Sequence, residues 1–431
     1  SDRSRLLPDC ECPHMTLWCT PVERPFHSTI RVPGSKSIAN RALICAALSE
    51  GRSTLKNLPD GDDTRAMLSG LQALGIEVTR SGSTATVFRD AALQSGEIHA
   101  ELAGTTSRFL TALAATAGSS ISIDGHERLR QRPIGPLLNA LRSLGAQIAD
   151  RDGGLPVSIQ GPLRGGAVTI DATTSSQFIS ALMMIGPVLP EGLHITLQGS
   201  PISQPYVNLT ASVMELFGVS TDISEGSIGI SPQEYSATSV TIEPDASSAS
   251  YPLAIAAATG STVTIEDFGS SSLQGDKQII DILRTMNADI DCTPHSTTLT
   301  SNGNDLEGID IDMSDISDLV PTVAALACFA VSRTRIRGVG FIRNKESDRI
   351  GDLSAELSKF GAHVVEHKDG LTISPVKLMG ATVDTHDDHR LAMAFSIIGA
   401  CVPGTAITNP EVTSKSWPSY WDDLNEMILV S

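Results

Sequence analysis

Hydrophobic and polar positions repeat along the chain with a period of about 70 residues. Each copy begins with a polar cluster and an Ala-rich apolar helix, and continues with a short strand, a second polar cluster, a second helix and another strand. The second helices end at Leu-Gly or a similar pair: Leu74-Gly75, Leu144-Gly145, Phe217-Gly218, Met286-Asn287 and Phe360-Gly361. A sixth second helix is predicted at 421–427. So regular a repeat indicates six copies of one supersecondary unit.

The first helix of each unit begins with Ser, Asp or Gly and then turns apolar, which is typical of a capped helix that faces a core. These helices are predicted at 35–48, 104–117, 175–189, 245–259, 317–330 and 387–401. Short segments that are mostly rich in β-branched residues follow them and predict strands. The strands are predicted at 53–58, 120–124, 194–198, 262–266, 333–337 and 405–408.

The order of these elements predicts an α/β fold with two similar domains. A strand-helix-strand crossover in each unit favours parallel pairing with right-handed connections. Three βαβαββ-type units would close around a pseudo-threefold axis, with buried helices inside and sheets outside, as an inside-out α/β barrel. The active site would then lie in the cleft between the two domains.

Two segments interrupt the pattern, near 32–34 and near 243–245, and both contain proline. We interpret them as the points where the chain crosses between domains. The predicted domains are 35–243, formed by units one to three, and 1–34 plus 244–431, formed by units four to six. The N-terminal strand, 28–32, would belong to the second of these domains.

The chain has 431 residues and a formal net charge of −18 at pH 7, so its surface as a whole repels nucleic acid and anionic membranes. An anionic small-molecule substrate would therefore need a local basic pocket. No apolar run is long enough to span a bilayer, and the scattered cysteines fit free thiols in a reducing compartment. We expect a cytoplasmic monomer with no nucleic-acid or membrane partner.

Residues 1–14 carry no hydrophobic periodicity and are predicted to be a disordered tail. Cys10, Cys12 and His14 within this segment offer an alternative interpretation as a metal clip. Three ligand-type residues alone are a weak signal, and the disordered tail is the simpler hypothesis.

Candidate phosphate-binding residues gather in the polar clusters that open the helices. In the first unit Lys36 and Ser37 begin a helix, and Arg41 follows one turn later. A helix N-terminus favours an anion, and the lysine adds a point charge. In the second unit Gly104 admits close approach of a ligand, and Arg132 offers a two-pronged donor. Taken singly, each cluster is equally typical of a capped, solvated helix.

The remaining units differ in their chemistry. The third unit presents hydroxyl and amide donors suited to a polyol or a phosphate, at Ser175, Ser176, Gln177, Ser203 and Tyr206. The fourth unit has no cation in its opening cluster, and its residues are assigned mainly to capping and packing. The fifth and sixth units place acids beside bases, at Asp318, Lys345, Glu346, Arg349, Arg390 and Lys415. Carboxylates held close to cations can ionise at low pH or share a proton, as general acid–base catalysis requires.

Cations recur at or near corresponding helix starts in a chain that is acidic overall. They are Lys36, Arg41, Arg108, Arg132, Lys345, Arg349, Arg390 and Lys415. If equivalent helix ends point the same way in each domain, two basic faces meet across the cleft. That geometry requires at least two anionic groups on the bound substrates.

The motifs at these positions resemble those of the enolpyruvyl transferase family. They read PGSKSIANRA, AGTTSRFL, ERLRQRPI, SSQFISAL, SQPY, DASSASY, NKESDR, DDHRLAMAF and TSKSWPSY, in this order, from about residue 28 to residue 427. The resemblance implies the enolpyruvyl transferase fold, domain closure before reaction, and no metal or organic cofactor. It also implies transfer of the enolpyruvyl group of phosphoenolpyruvate to the 5-hydroxyl of shikimate 3-phosphate, through a tetrahedral intermediate that expels phosphate.

The resemblance implies roles for individual residues as well. Those that would hold the phosphate and ring hydroxyls of shikimate 3-phosphate are Ser37, Arg41, Ser175, Ser176, Ser203, Tyr206, Asp318 and Lys345. Those that would surround phosphoenolpyruvate are Lys36, Gly104, Arg132, Gln177, Arg349, Arg390 and Lys415. The implied proton-transfer residues are Lys36, Asp318 and Glu346.

Four positions depart from the commoner family pattern: Leu102, Phe109, Gln204 and Phe341. Phe341 stands where the family often has an asparagine that helps to bind the shikimate phosphate, and no role is assigned to it. Gly104 is kept, so the family's inhibitor glyphosate is expected to fit.

Three alternatives stay open at this point. The sister enzyme that acts on UDP-N-acetylglucosamine carries Lys-Asn where this chain has Lys36-Ser37, and it uses a reactive cysteine that has no counterpart here. The RNA 3′-phosphate cyclases have a related architecture, but an acidic chain with few aromatic residues is poorly suited to RNA. A non-catalytic scaffold for anions would gain nothing from carboxylates such as Asp318 and Glu346.

Overall fold

The computed structural model describes residues 15–199, 203–300 and 305–429. The predicted tail, 1–14, and the alternative metal clip of Cys10, Cys12 and His14 lie outside the described residues. Within them the predicted α/β architecture is confirmed, because helices and strands alternate in six related units. No helix of this part of the chain has both the length and the apolar character needed to cross a membrane.

The helices follow the predicted order. The α-helices are α1 (Lys36–Leu48), α2 (Asp62–Ala73), α3 (Gly104–Ala114), α4 (Glu127–Arg130), α5 (Gly135–Ser143), α6 (Ser176–Ile185), α7 (Gln204–Leu216), α8 (Ala246–Thr259), α9 (Ile279–Thr285), α10 (Val320–Ala327), α11 (Gly351–Lys359), α12 (His389–Gly399) and α13 (Tyr420–Leu429). Short 3-10 turns span Gly186–Val188, Gly275–Gln278, Ser317–Leu319, Gly340–Asn344 and Pro410–Lys415.

Several first helices are shorter than predicted. The helix predicted at 175–189 ends as an α-helix at Ile185, because Pro187 cannot continue the hydrogen-bond ladder and the chain tightens into a 3-10 turn. The helix predicted at 317–330 opens with a 3-10 turn, and regular helix begins only at Val320, next to Pro321.

The strands form one sheet for each unit. They are β1 (Thr16–Trp18), β2 (His27–Ile30), β3 (Gly51–Lys56), β4 (Glu77–Ser81), β5 (Thr84–Arg89), β6 (Gly96–His99), β7 (Ile121–Asp124), β8 (Gln147–Arg151), β9 (Gly154–Gln160), β10 (Gly166–Asp171), β11 (Leu193–Gln198), β12 (Asp222–Ser224), β13 (Ser227–Ile230), β14 (Ser239–Thr241), β15 (Thr262–Glu266), β16 (Asp289–Cys292), β17 (Ser296–Thr300), β18 (Asp310–Asp312), β19 (Thr334–Arg337), β20 (His363–His367), β21 (Gly370–Ser374), β22 (Thr382–Asp384) and β23 (Ala406–Thr408). The sheet orders, unit by unit, are β14-β3-β5-β4, β6-β7-β9-β8, β10-β11-β13-β12, β16-β17-β15-β2, β18-β19-β21-β20 and β1-β23-β22.

The predicted parallel pairing holds for only one pair of strands in each sheet. In the first unit β14 and β3 are parallel, whereas β5 is antiparallel to both β3 and β4. After α2 the chain enters β4, which runs in the same direction as β3. The following strand, β5, forms a hairpin with β4 and lies between β3 and β4 in the sheet. Tight hairpins join antiparallel strands without a crossover, so the sheets are mixed.

The first helices lie inside the molecule and the sheets outside, as predicted. α1, α3 and α6 pack against one another, and so do α8, α10 and α12. Side chains on nearly every face of α1, α8 and α12 are buried, as expected for helices that are apolar all round. Residues of β9 alternate between buried and more exposed, so one face covers the helices and the other faces solvent.

The second helices that end at Leu-Gly or a similar pair do so because the last residue of the pair adopts a left-handed backbone conformation. Gly75, Gly145, Gly218 and Gly361 have φ values of 82°, 108°, 82° and 82°, and Asn287 has 71°. The left-handed region closes a helix C-terminus at little cost for glycine, and asparagine is among the residues that tolerate it.

Two separate hydrophobic cores flank a cleft. One holds buried residues from Ile38 to Ile242, and the other holds Phe26, Val32 and buried residues from Ala246 to Met427. β2 pairs with β15 of the second core, whereas β14 pairs with β3 of the first. Each crossing therefore leaves a strand in one core and enters a helix of the other.

The two crossing segments lie side by side. Ser35 N donates to the carbonyl of Glu243 at 2.8 Å, and Asp245 N donates to the carbonyl of Pro33 at 2.8 Å. We retain the division into domains 35–243 and 1–34 plus 244–431 as a proposal, since it follows the two cores.

Candidate active site

A cavity of about 340 Å³ lies between the two cores. All but one of the predicted site residues line it: Lys36, Ser37, Arg41, Gly104, Arg132, Ser175, Ser176, Gln177, Ser203, Tyr206, Asp318, Lys345, Glu346, Arg349 and Arg390. The exception is Lys415, but its Nζ lies 2.9 Å from Oε1 of Glu346, so it belongs to the same cluster. Among the described residues the fourth unit contributes none to the lining, in keeping with its lack of cations.

Three helices of the first core direct their N-termini at the cavity. Lys36 is the first residue of α1, and the Ser35 hydroxyl caps this helix. Gly104 is the first residue of α3, and the Ser175 hydroxyl caps α6 by accepting from Gln177 N at 3.3 Å. The partial positive charge of such helix ends favours a bound anion.

Arg349 joins the carboxylates of the second core into one network. Its guanidinium lies 2.7 Å from Asp388 and 2.9 Å from Asp318. A third carboxylate oxygen, on Glu346, lies 3.6 Å away. Burial opposes the charge, but these carboxylates outweigh it and raise the pKa of Arg349. Arg349 is thus a fixed cation that positions the acidic residues.

Asp318 is an ionised base at the wall of the cavity. Arg390 Nη2 lies 2.8 Å from it, and the Tyr206 hydroxyl donates to it at 3.3 Å across the cleft. Burial alone would raise the pKa of Asp318, but Arg390 and Lys345 outweigh burial and hold this pKa far below its usual range.

Lys36 and Glu346 keep opposite charges side by side. Lys36 Nζ lies 3.0 Å from Asp63 Oδ2, and although burial opposes the charge, Asp63 and Glu346 raise the pKa of Lys36. Glu346 lies 2.9 Å from Lys415 and 2.8 Å from His389. Burial would raise the pKa of Glu346, but these neighbours hold it well below the usual value. Lys36 therefore carries a proton at neutral pH, whereas Glu346 carries none.

Another group of cavity cations has no carboxylate oxygen within 4.0 Å among the described residues. Its members are Arg41, Arg108, Arg132 and Lys345. Buried cations need compensating charge, and in this cavity an anionic ligand can supply it. This group is the strongest indication that the cavity binds more than one anion.

In the described structure the hydrogen-bond partners of Arg41 are all neutral groups. Its guanidinium donates to Thr210 at 2.8 Å and to Ser180 at 3.1 Å. The Phe109 ring, one of the departures from the family pattern, lies 5.3 Å from Arg41 Cζ and is fully buried. Burial lowers the pKa of Arg41 to about 10, which still leaves the group charged at neutral pH.

Arg108 fixes the orientation of Gln177. Its Nη1 donates to Gln177 Oε1, and its Nη2 donates to the Pro133 carbonyl at 3.3 Å. The guanidinium also lies 5.0 Å from the Phe178 ring centroid. Because the amide oxygen of Gln177 is taken, its NH2 group is left as a donor for the ligand.

Arg132 lies directly over Gly104. A Cβ added at Gly104 would lie 2.5 Å from Arg132 Nη1 and 2.7 Å from its Cζ. The glycine therefore allows the guanidinium to approach the N-terminus of α3. Next to it, the carbonyl of Leu102 accepts from Lys415 Nζ at 3.4 Å across the cleft, so the side chain that departs from the family pattern leaves this contact intact.

Lys345 and Phe341 form another wall of the cavity. Lys345 Nζ lies 5.9 Å from the centroid of the Phe341 ring. Burial lowers the pKa of Lys345 to about 8, in spite of the opposing effect of Asp318.

Polar contacts join the rims of the cleft. Arg128, on α4, forms an ion pair with Asp387, just before α12. The Ser414 hydroxyl donates to Asp62 at 2.7 Å. Each pair joins one side of the cleft to the other, so the two sides are in contact around the cavity.

Sequence reasoning did not identify three contacts of the predicted residues, although Asp388 and His389 stand in the charged cluster that opens the sixth unit. Asp63 pairs with Lys36, His389 contacts Glu346, and Asp388 pairs with Arg349. Asp388 is also the N-cap of α12, and an acidic residue at the start of a helix is the signal that could have singled it out. The sequence holds no comparable signal for the other two contacts.

Asp276, on the turn Gly275–Gln278, was also missed. It is 4% exposed; Ser247 donates to its Oδ2, and its Oδ1 has no hydrogen-bond partner among the described residues. Burial and the nearby charge of Asp318 raise the pKa of Asp276 to about 7.

Glu346, Asp388 and His389 bring three potential metal-ligating atoms within 4.8 Å of one another. Arg349 contacts Glu346 and Asp388, and Lys415 pairs with Glu346. These two cations already supply the charge that a metal would bring, so the cluster fits an ion-pair network better than a metal site.

Comparison with known proteins adds the following. The family model described as EPSP synthase (3-phosphoshikimate 1-carboxyvinyltransferase) matches residues 22–424. The 3-phosphoshikimate 1-carboxyvinyltransferase of Serratia proteamaculans is 39% identical over 417 residues, covering 92% of this chain and 95% of the relative. That of Trichormus variabilis is 37% identical over 423 residues, covering 96% and 99%. A solved structure of EPSP synthase from Acinetobacter baumannii superposes with a TM-score of 0.81 at 24% identity, covering 96% of this chain and 98% of that one, which supports the fold.

Proposed function

The chain belongs to the EPSP synthase family of 3-phosphoshikimate 1-carboxyvinyltransferases, and from this premise we propose how its cleft carries out the reaction. The protein is a transferase of the shikimate pathway, which leads to the aromatic amino acids. Its substrates are phosphoenolpyruvate and shikimate 3-phosphate, and its products are 5-enolpyruvylshikimate 3-phosphate and phosphate.

Shikimate 3-phosphate binds on the side of the cavity that carries hydroxyl groups. Its phosphate is held by the cations Arg41 and Lys345, which have no carboxylate partner within 4.0 Å among the described residues, and by a set of hydroxyls. These hydroxyls are those of Ser37, Ser175, Ser176, Ser203 and Tyr206. Asp318 accepts from the ring hydroxyl that reacts.

Phosphoenolpyruvate binds where cations of both cores meet. Its phosphate and carboxylate are held by Lys36, Gly104 N, Arg132, Gln177, Arg349, Arg390 and Lys415. Arg132 has no carboxylate oxygen within 4.0 Å in the described part of the chain, and Arg349 and Arg390 are fixed by Asp318. The guanidinium groups are therefore already in place before charge develops on the phosphate.

The proton transfers follow from the charges of three residues. Asp318 takes the proton of the 5-hydroxyl as that oxygen attacks C2 of phosphoenolpyruvate, and Lys36 delivers a proton to C3. The tetrahedral intermediate then loses a proton from C3 as its C2–O bond to phosphate breaks, and Glu346 accepts that proton. Asp318 and Glu346 are ionised and Lys36 is protonated before reaction, as these steps require.

The observation that carries the proposal is the set of cavity cations that, within the described ranges, have no carboxylate oxygen within 4.0 Å and lie next to a carboxylate base. A scaffold that only bound anions would gain nothing from Asp318 in this position.

The test is phosphate release from phosphoenolpyruvate, with shikimate 3-phosphate or UDP-N-acetylglucosamine as acceptor. We expect release with shikimate 3-phosphate only. Lys36→Met and Glu346→Ala should each lower turnover by about 100-fold or more while leaving the fold intact. Full activity in both variants, or preference for UDP-N-acetylglucosamine, would overturn the assignment.

Location and assembly are also proposed. Cys19, Cys45, Cys292, Cys328 and Cys401 are free thiols, which fits the reducing cytoplasm. We propose a monomer that closes its cleft on shikimate 3-phosphate before reaction, without a nucleic-acid or membrane partner.

A further inference from the structure

The wall of the cavity around Lys345 combines a cation with an aromatic ring. Phe341 belongs to the turn Gly340–Asn344, and Lys345 follows that turn directly. Both side chains are half-buried and line the cavity, with 5.9 Å between Lys345 Nζ and the Phe341 ring centroid. No carboxylate oxygen of the described residues lies within 4.0 Å of this ammonium group. The ring therefore covers a cation that forms no direct ion pair with a carboxylate of the described residues.

Four charged groups act on Lys345 from the elements around it. Asp318 favours the protonated form, whereas three cations disfavour it: Arg349, Arg132 and Arg108. Burial has the largest effect, and together with the three cations it brings the pKa of Lys345 down to about 8. An aromatic ring face attracts a cation weakly, but it also excludes the water that would solvate the ammonium group.

We propose that Phe341 is a positioning residue that acts through Lys345 and makes binding of the acceptor's phosphate dependent on pH in the mildly alkaline range. This inference rests on the proposed function, in which Lys345 contacts the phosphate of shikimate 3-phosphate. The Phe341 ring offers that phosphate no hydrogen bond. At this corner of the site, recognition therefore depends on the charge of the lysine.

The sign of the effect follows from the two titrations. The second pKa of a phosphate monoester is about 6, so the ligand keeps both charges above pH 7. Lys345, by contrast, loses its proton as the pH rises through about 8. The KM for shikimate 3-phosphate should therefore rise about tenfold between pH 7 and pH 9. A bound phosphate keeps Lys345 protonated, so kcat should not fall with the same midpoint.

Three variants test the inference. Lys345→Arg should abolish the rise of KM with pH, because guanidinium stays charged. Phe341→Asn admits water and adds a hydrogen-bond donor, so it should lower KM at pH 9 by about threefold or more and move the rise to higher pH. Phe341→Leu keeps the apolar wall, and it should keep the rise of the parent protein.

The measurements are KM and kcat from pH 6.5 to 9.5, with calorimetric titration of shikimate 3-phosphate at pH 7 and pH 9. The KM for phosphoenolpyruvate serves as the internal control, since it should be alike in Phe341→Asn, Phe341→Leu and the parent. A KM that stays flat in the parent, or a rise that persists unchanged in an active Phe341→Asn variant, overturns the inference alone. Absence of any turnover with shikimate 3-phosphate overturns the proposed function itself.

Discussion

Lys36 Nζ lies 3.0 Å from Asp63 Oδ2 in the wall of the cavity, and both side chains are largely buried. Burial opposes the charge of Lys36, and Asp63 together with Glu346 outweighs that effect and raises the pKa of Lys36. In Asp63→Asn the opposing effect of burial remains, so Lys36 loses its proton at lower pH. We expect kcat to fall about tenfold near pH 8, and its alkaline limb to move to lower pH.

The pH dependence of kcat from pH 6 to pH 10 checks this prediction. Asp60→Asn is a matched control, because Asp60 pairs with Arg65 and Arg80 at the surface and its side chain is 61% exposed. An alkaline limb that stays in place in Asp63→Asn would show that Asp63 does not control Lys36.

Gly104→Ala should impair the binding of phosphoenolpyruvate and leave the binding of shikimate 3-phosphate nearly unchanged. The new Cβ would lie 2.5 Å from Arg132 Nη1, so the guanidinium must move away from the N-terminus of α3. We expect the KM for phosphoenolpyruvate to rise about tenfold or more, with the KM for shikimate 3-phosphate nearly unchanged. Gly118→Ala is the control, because its Cβ would meet only Pro162 Cδ, at 3.9 Å. An equal change in both KM values would contradict the placement of Arg132.

Arg128→Ala should weaken the contact between the two sides of the cleft. The pair of Arg128 with Asp387 is half-exposed, and such pairs contribute below about 1 kcal/mol and are screened by salt. We expect kcat/KM to fall about two- to fivefold at low ionic strength, and this loss to disappear in 1 M salt. Arg130→Ala is the control on the same helix, since Arg130 pairs with Asp124 on its own side of the cleft. A loss that is independent of salt would rule out an ion-pair effect.

Arg108→Lys should keep the positive charge but lose the guanidinium group that orients Gln177. Without the Arg108 bond the Gln177 amide can turn, and its NH2 group no longer faces the ligand by default. We expect kcat/KM for phosphoenolpyruvate to fall about 10- to 100-fold. Arg108→Gln, which also removes the charge, should fall further. An unchanged kcat/KM in Arg108→Lys, with a loss only in Arg108→Gln, would mean that charge alone matters.

Asp276→Asn should change how stability depends on pH. The folded protein holds the Asp276 proton up to about pH 7, whereas an unfolded chain releases it near pH 4. The stabilising effect of the protonated form is therefore complete below about pH 4 and is lost as the pH rises to about 7. An asparagine cannot ionise, so the variant should melt about 2–4 °C higher than the parent at pH 8 and at a similar temperature at pH 4. Scanning calorimetry at both pH values is the measurement, and a difference independent of pH would contradict this account of Asp276.

Much of the fold could be predicted because its signals are local. The left-handed residue after each of the first five second helices is a glycine or an asparagine, and the first helices are rich in apolar residues, so both features are visible in the sequence. The mixed sheets could not be predicted in the same way. Either β4 or β5 could pair with β3 and take the central position in the sheet. The hydrophobic pattern along the chain is the same for both orders, so it does not predict that β5 lies between β3 and β4.

The sequence predicted those site residues whose type and position alone indicate a function. It did not predict residues that matter because of a contact formed on folding. Cations at helix starts, such as Lys36, could be read directly. Asp63 could not, because an acidic residue in the first turn of α2 is an ordinary helix feature. Only folding shows that it faces Lys36 of a different helix. Phe341 was noted as a departure, but its position beside Lys345 required the structure.

The two N-terminal strands have a consequence for the order of assembly during synthesis. β1 pairs with β23, and β2 pairs with β15, so each of these two strands is translated long before the strand with which it pairs. The core of 35–243 can close in the meantime, since domains form as they emerge. The seam that joins β1 to β23 can form only after β23 itself has been translated, so the pairing of β1 cannot guide the early steps of folding.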